Sequence, residues 1–104
     1  MKTRLMVATL FALLLSTGSV LAGGDAANGE ALAADCAMCH GDDGKGDGGE
    51  TPAIAGMDEA AHVAALQGYA SGDKEDASGM MADYATALSE QDMKDVAAYY
   101  ATLK

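Results

Sequence analysis

The segment Cys36-Ala37-Met38-Cys39-His40 constrains this 104-residue chain more than any other feature. On a helix, residues three and four apart lie on one face, so both thiols and the imidazole would share a side. Each thiol can add across one vinyl group of a porphyrin to form a thioether, and a ring nitrogen of neutral His40 can bind the iron. The spacing therefore predicts one covalently attached haem, with Cys36 and Cys39 as tethers and His40 as an axial ligand.

Other uses of this segment are open but fit less well. A thioredoxin-like dithiol would need a βαβ setting, and no credible strand flanks the segment. Structural zinc takes four ligands, and residues 23–104 hold only Cys36, Cys39, His40 and His62. A plain disulfide would leave His40 without a role. We favour haem and keep zinc and dithiol chemistry as alternatives.

The N-terminal stretch has the pattern of a secretory signal. Lys2 and Arg4 precede a short apolar run, and the run leads to the small-residue boundary Val20-Leu21-Ala22. The run is too short for a stable membrane span. We expect residues 1–22 to be removed by cleavage after Ala22, which would release one haem domain, residues 23–104, into a bacterial periplasm or an equivalent compartment. An uncleaved, anchored form is the alternative.

Beyond the predicted signal, the composition indicates a thin core and a strongly negative surface. Residues 23–104 contain no Phe or Trp, so a bound macrocycle would supply apolar mass that the sequence lacks. Four basic residues face 16 acidic ones there, a net charge of −12 with His neutral. This charge disfavours nucleic acid and membrane surfaces and favours a redox protein with a basic docking face. A surface adapted to a saline habitat explains the charge equally well.

Capping residues and apolar spacing predict three helices. The first enters the haem motif, and its small residues Gly29 and Ala33 leave room for Tyr99 or Tyr100 of the last helix. The helix boundaries are expected at Asp25 or Asn28 for the first helix, Asp58 and Gly72 for the second, and Ser89 with Asp92 for the third, which runs to Leu103. We expect His62, on the second helix, to face solvent. As an axial ligand it would make a bis-His haem of lower potential.

Two loops complete the predicted haem site. The first, residues 42–50, is Gly-rich and acidic but lacks the spacing of a calcium loop. Pro52 follows it and can offer a carbonyl to the outer nitrogen of His40, an acceptor that a metal-bound His usually needs. The second loop, residues 72–79, leads to Met80 and Met81. One of their thioethers can bind the iron as sixth ligand and raise its potential, although both could be core filler.

The chain resembles the class I c-type cytochromes through the segments GEALAADCAMCHG, PAIAG, MMADYATALS and EQDMKDVAAYYA. In that family the axial Met stands seven residues before the Leu of an "LS" pair that opens the last helix. Met81 has this spacing to Leu88, and Met80, the runner-up, is one residue out. The family's Pro that orients the axial His lies twelve residues beyond it, where Pro52 stands relative to His40.

The resemblance implies an all-α fold, with helices wrapped around one haem, and a periplasmic carrier of single electrons that has no catalytic residues of its own. The segments PAIAGMDEAAH and GYASGD are also similar to the haem subunit of flavocytochrome c sulfide dehydrogenase. That similarity gives an alternative function, a dedicated electron-accepting subunit bound to a flavoprotein. The Lys ring of the eukaryotic members is absent, so a basic docking face on this chain is not expected.

Overall fold

The structure, a computed structural model, describes residues 23–103 and consists of five helices without a strand in that range. The all-α fold predicted from the sequence is confirmed. The predicted signal peptide and its cleavage after Ala22 lie outside the described residues. No helix in the described part of the chain combines the length and apolar character needed to cross a membrane. The helices are α1 (Ala26–Leu32), α2 (Ala34–His40), α3 (Glu59–Ser71), α4 (Met80–Thr86) and α5 (Glu90–Ala101).

The predicted first helix is two helices. Asp25 is its N-cap, with its carboxylate accepting from the backbone N–H groups of Ala27 and Asn28 at 3.0 and 3.3 Å. A turn at Ala33 then separates α1 from α2. Hydrogen bonds still join Ala33 N to Gly29 O and Ala37 N to Ala33 O, each at 2.8 Å. The break is therefore local, and the chain enters the haem motif in helical conformation as predicted.

The caps of α3 and α5 are those the sequence predicts. The Asp58 carboxylate accepts from Ala61 N at 3.0 Å, and Gly72 ends α3 in the left-handed region with φ 88°. Ser89 and Asp92 form a reciprocal capping box, with hydrogen bonds of 3.0 and 3.1 Å. Each polar side chain satisfies a backbone donor that the first turn of a helix leaves free.

Helix α4 was not predicted, because its stabilising contacts come from loop side chains. The Asp76 carboxylate accepts from the Ser78 hydroxyl at 2.7 Å and from Met81 N at 3.3 Å. The Ser78 oxygen in turn accepts from Met80 N at 3.3 Å. These bonds satisfy free donors in the first turn of α4 and fix the backbone of both Met residues at the start of the helix.

Helices α1 and α5 cross at Gly29, as the small residues predict. A Cβ at Gly29 would collide with the carbonyl of Asp95 and lie 2.9 Å from the Cβ of Tyr99. Tyr99 therefore covers the glycine, while Tyr100 is buried in the core with 1% of its surface exposed. The glycine is required because only a residue without a side chain permits this approach.

Buried Asp95 provides a second link between these helices. Its carboxylate accepts from Asp25 N and Asn28 Nδ2, each at 2.7 Å, and from Gln91 Nε2 at 2.9 Å. The N–H of Asp25 is the largest cause that lowers the pKa of Asp95, followed by the amides of Gln91 and Asn28. A carboxylate surrounded by donors is stabilised in its charged form, so this network favours the ionised side chain.

Candidate haem site

Helix α2 presents the two thiols and the imidazole that the motif predicts. Cys36 is half-buried and packs against the core, whereas Cys39 is exposed, and both are free thiols. His40 is buried at the end of the helix, with 7% of its surface exposed. Burial is the main cause that raises the pKa of the Cys36 thiol, followed by the neighbouring charge of Asp35. In the free chain the half-buried sulfur is therefore favoured in its protonated form.

The Nδ1–H of His40 donates to the carbonyl oxygen of Pro52 at 2.8 Å. Because a carbonyl can only accept, Nδ1 must carry the proton, and the lone pair of the neutral ring must lie on Nε2. No described residue makes a hydrogen bond to Nε2. The structure therefore leaves on His40 one fixed, free nitrogen donor of the kind that iron binds.

The loop after α2 is built to bring Pro52 back to His40. Gly46 N donates to the carbonyl oxygen of His40 at 2.7 Å, and Gly46 itself has φ 70°. A Cβ at Gly46 would collide with the carbonyl of Thr51 and lie 2.7 Å from the carbonyl carbon of Pro52. The sequence indicated only a solvated Gly-rich loop. Its glycine at position 46 in fact allows the close approach of backbone that the His40 contact requires.

The two candidate sulfur ligands differ in their surroundings. Met81 is partly buried and packs against the core cluster that includes Leu66 and Tyr100. Met80 is one of the exposed large apolar side chains, with 47% of its surface exposed. Burial thus distinguishes two adjacent residues that residue type alone left equivalent.

The expectation that His62 faces solvent is wrong. Only 4% of its surface is exposed, and its ring centroid lies 5.6 Å from that of Tyr100. The reason is helical phase: His62 lies one turn before the buried Leu66, on the same side of α3. Burial, and secondarily the charge of His40, lower the pKa of His62, so the ring is favoured in its neutral form.

Tyr100 links His62 to the tether region. Burial is the main cause that raises the pKa of Tyr100 well above its ordinary value, and Cys36 is the next. Cys36 in turn packs against the buried core cluster to which Tyr100 belongs. Sequence periodicity placed Tyr100 on the apolar face of the last helix, but it gave no sign that Cys36 packs against the same cluster.

The donor set fits a covalently held haem. Two thiols on one helix suit thioether formation, and the adjacent imidazole has a free lone pair and a fixed second nitrogen. The partly buried side chain of Met81, in the first turn of α4, carries a thioether, which is a group that can bind iron.

The family model of cytochrome c matches residues 26–104 of this sequence. The chain belongs to the cytochrome c family. A cytochrome c holds haem c, an iron porphyrin, by covalent attachment, and this decides between haem and the zinc and dithiol alternatives. The similarity extends over all five helices, so the whole described fold is that of a cytochrome c domain.

Several named cytochromes are similar to this cytochrome c. Cytochrome c4 of Pseudomonas aeruginosa is 39% identical over 103 residues, which cover 97% of this chain and 49% of that protein. Cytochrome c-554(547) of Halothiobacillus neapolitanus is 43% identical over 91 residues, 78% of this chain and 99% of that protein. Cytochrome c-554(548) of Halomonas halodenitrificans is 34% identical over 80 residues, 76% of this chain and 96% of that protein.

The chain therefore spans about half the length of the cytochrome c4 that it matches and nearly the whole of both c-554 proteins. These relatives do not favour the alternative of a flavocytochrome subunit.

Proposed function

We propose that this cytochrome c carries single electrons between redox proteins in the periplasm and transforms no substrate itself. The haem is tethered through Cys36 and Cys39, and its iron is bound by His40 on one side and Met81 on the other. When bound, the haem supplies a one-electron iron couple, and the residues around it set the geometry and the potential of that couple.

The hydrogen bond from His40 Nδ1 to the Pro52 carbonyl oxygen carries the proposal. It fixes the imidazole in one tautomer and one orientation. A ring held in this way reorganises little when the charge on the iron changes. Small reorganisation is what a carrier of electrons requires.

The surroundings of Met81 also support the proposal. It is partly buried and its backbone N–H is bound by Asp76, while its neighbour Met80 is exposed. Two strong axial donors fill the coordination positions of the iron. They leave no open position for dioxygen or peroxide, as a carrier requires.

The negative charge of the chain and its predicted export support a basic redox protein of the periplasm as the partner. Residues 23–104 carry a net charge of −12, which favours encounter with a redox protein that has a basic docking face. Electron transfer to such a partner should slow as salt rises, because the Debye length falls from about 30 Å at 0.01 M to about 10 Å at 0.1 M. A rate indifferent to salt would instead support a general adaptation of the surface to saline surroundings.

Carbon monoxide binding to the ferrous protein tests the proposed function. A carrier with both axial positions filled should bind carbon monoxide slowly or not at all, whereas a ligand-binding or peroxidase-like haem should bind it rapidly. Size measurement of the protein purified from its own cells provides the second test. A carrier elutes as a small protein, and elution with a much larger flavoprotein would support the subunit alternative.

A further inference from the structure

A groove of about 340 Å³ lies between the turn that separates α1 from α2 and the last turns of α5. Its volume is at the lower end of the range of ligand pockets, about 300–1,000 Å³. On the α2 side it is lined by the small residues Ala33, Ala34 and Ala37, and on the α5 side by Tyr99 and Tyr100. The groove exists because the alanine side chains leave open the space opposite the two aromatic rings.

The aromatic side of this groove is fixed by contacts from several directions. The rings of Tyr99 and Tyr100 meet edge to face, with centroids 5.2 Å apart. The loop after α2 lies against Tyr100, since a Cβ at Gly44 would be 3.0 Å from two atoms of its ring. Gly56 N also donates to the Tyr100 carbonyl oxygen at 2.8 Å. The groove is therefore formed in the free protein, so docking into it costs little ordering entropy.

The charges at the groove select a cation as its occupant. Glu30 of α1 and Asp42, two residues after α2 ends, are exposed acids that line it, and none of the described lining residues is basic. Carboxylates and the face of an aromatic ring such as that of Tyr99 both attract cations. A guanidinium suits this combination better than an ammonium, because it is planar, stacks on aromatic rings and binds carboxylates through several N–H groups.

A second copy of this chain does not fit as the source of the cation. Residues 23–104 carry a net charge of −12, so two copies repel each other. The single arginine of the chain, Arg4, lies in the predicted signal, and residues 23–104 contain none. The guanidinium must therefore come from a different protein, one with a basic surface.

The groove also lies next to the tether region. Ala33 and Tyr100, which line it, belong to the buried core cluster against which Cys36 packs. Ala37, a third lining residue, directly follows Cys36 in α2. A side chain seated in the groove would thus hold its protein beside the helix that carries both proposed tethers.

We propose that this groove docks an arginine side chain of the basic redox protein with which the cytochrome exchanges electrons. The guanidinium lies on the ring of Tyr99, with the carboxylates of Glu30 and Asp42 as its counter-charges, and the aliphatic stem packs against Ala34 and Ala37. The inference rests on the proposed carrier function and names the surface that the partner recognises. It predicts an effect of side-chain shape as well as of charge.

Titration of the ferrous haem-loaded protein with N-acetylarginine methylamide, followed by amide shifts in NMR, tests the groove directly. The amide signals of Ala34, Ala37 and Tyr99 should shift and reach saturation. Ala34→Leu fills the groove at constant charge and should weaken binding at least about threefold. Ala31→Leu, at an exposed alanine of α1 outside the groove, is the matched control and should leave the affinity unchanged.

A second pair of variants separates the groove from the general negative charge. Glu30→Gln/Asp42→Asn removes both charges that line the groove and should weaken binding at least about tenfold. Glu50→Gln/Asp83→Asn removes the same net charge at exposed positions elsewhere and should weaken it less than about twofold. N-acetyllysine methylamide should bind wild type more weakly than the arginine compound.

Three results of the titration would overturn the inference. One is a set of shifts spread over the acidic surface without saturation. Another is an equal loss of affinity in the two double variants, because net charge would then explain the binding. The third is equal affinity for the lysine and the arginine compounds.

Electron exchange with the partner itself is measured as the rates at which an extract of the protein's own cells reduces and reoxidises it. At least one of the two rates should fall about threefold or more in Ala34→Leu and stay at the wild-type value in Ala31→Leu. Equal rates in all three proteins would overturn the docking groove and leave the carrier function standing. Rapid carbon monoxide binding by the ferrous wild type would instead contradict the carrier function, whatever the groove binds.

Discussion

His40 and Pro52 are joined by a hydrogen bond of 2.8 Å between Nδ1 and the carbonyl oxygen, although twelve residues separate them in the chain. The bond depends on a loop that must fold tightly enough to return the Pro52 carbonyl to α2. Gly46 makes this possible, because its left-handed backbone and lack of a side chain admit the backbone of residues 51 and 52.

Gly46→Ala should therefore weaken the hydrogen bond between His40 and the Pro52 carbonyl oxygen. A left-handed non-glycine residue costs about 1–2 kcal/mol, and at this position the methyl group would also collide with Thr51. Gly48→Ala is the matched control, because Gly48 has φ 78° but nothing within 4 Å of an added Cβ. Denaturant unfolding should give a larger stability loss for Gly46→Ala than for Gly48→Ala. Equal losses would mean that the approach of Pro52 is not tight.

Asp76→Ala should loosen Met81 without touching its side chain. The carboxylate accepts from the Ser78 hydroxyl and from Met81 N, and these bonds, that of Ser78 most, lower the pKa of Asp76. Without them the start of α4 loses its fixed position. The charge-transfer absorption of Met sulfur bound to ferric iron should then disappear at a temperature a few degrees lower than in wild type.

Glu75→Ala is the control for this change, since Glu75 is the exposed neighbouring carboxylate and its side chain makes no hydrogen bond to a described residue. It removes the same charge but should leave the temperature of the absorption loss unchanged. If both variants lose the absorption together, the effect is one of net charge and Asp76 does not position Met81.

The ionised carboxylate of Asp95 should make the stability of the folded protein depend on pH. Its pKa is lowered in the folded chain, so the ionised form is favoured, and the stability it provides is present at neutral pH. That stability should be lost as the pH falls below the ordinary pKa of about 3.9 and through the lower folded value. Asp95→Ala should cost about 1.5–3 kcal/mol at pH 7, the range for hydrogen bonds to a charged group.

Chemical denaturation of Asp95→Ala at pH 7 and at pH 3 measures this dependence. The difference from wild type should shrink at the lower pH. Asp83→Asn, at an exposed acidic position of α4, should differ little from wild type at either pH. A loss for Asp95→Ala that does not change with pH would show that the charge of Asp95 is not what stabilises the crossing.

Gly29→Ala should lower stability much more than Gly68→Ala. A helical glycine is less favourable than alanine by about 0.5–1 kcal/mol, so alanine stabilises where space allows. At Gly68 an added Cβ lies 3.2 Å from the Cβ of Lys74, a tight contact that offsets this gain but involves no collision with backbone. At Gly29 it collides with the backbone of Asp95, and overpacking of this kind costs about 1–3 kcal/mol. Thermal unfolding of both variants measures the contrast, and stabilisation by Gly29→Ala would contradict the close crossing.

Local chemistry made part of this fold predictable from the sequence. Asp58 and Ser89 begin helices because their side chains bind free N–H groups in the next turn, and Gly72 ends a helix because it adopts the left-handed region at no cost. These signals lie within a few residues of the elements they control. The crossing at Gly29 was also predictable, since a small residue opposite an aromatic one indicates close helix contact.

The remaining features depend on contacts between distant residues. Helix α4 begins through the side chains of Asp76 and Ser78, which read as ordinary loop residues. His62 is buried because α3 turns this face toward Tyr100, whereas apolar spacing alone centred the face on Val63. The contact of Gly46 with Pro52 and the hydrogen-bond network of buried Asp95 likewise leave no local pattern in the sequence.

The charge-transfer absorption of Met sulfur bound to ferric iron tests the central claim most directly, because it reports the ligand set itself. Wild type and Met80→Ala should show this absorption, and Met81→Ala should lack it. Loss in Met80→Ala with retention in Met81→Ala would move the ligand to the exposed neighbour. A ferric wild-type protein without the absorption would contradict iron held between His40 and Met81.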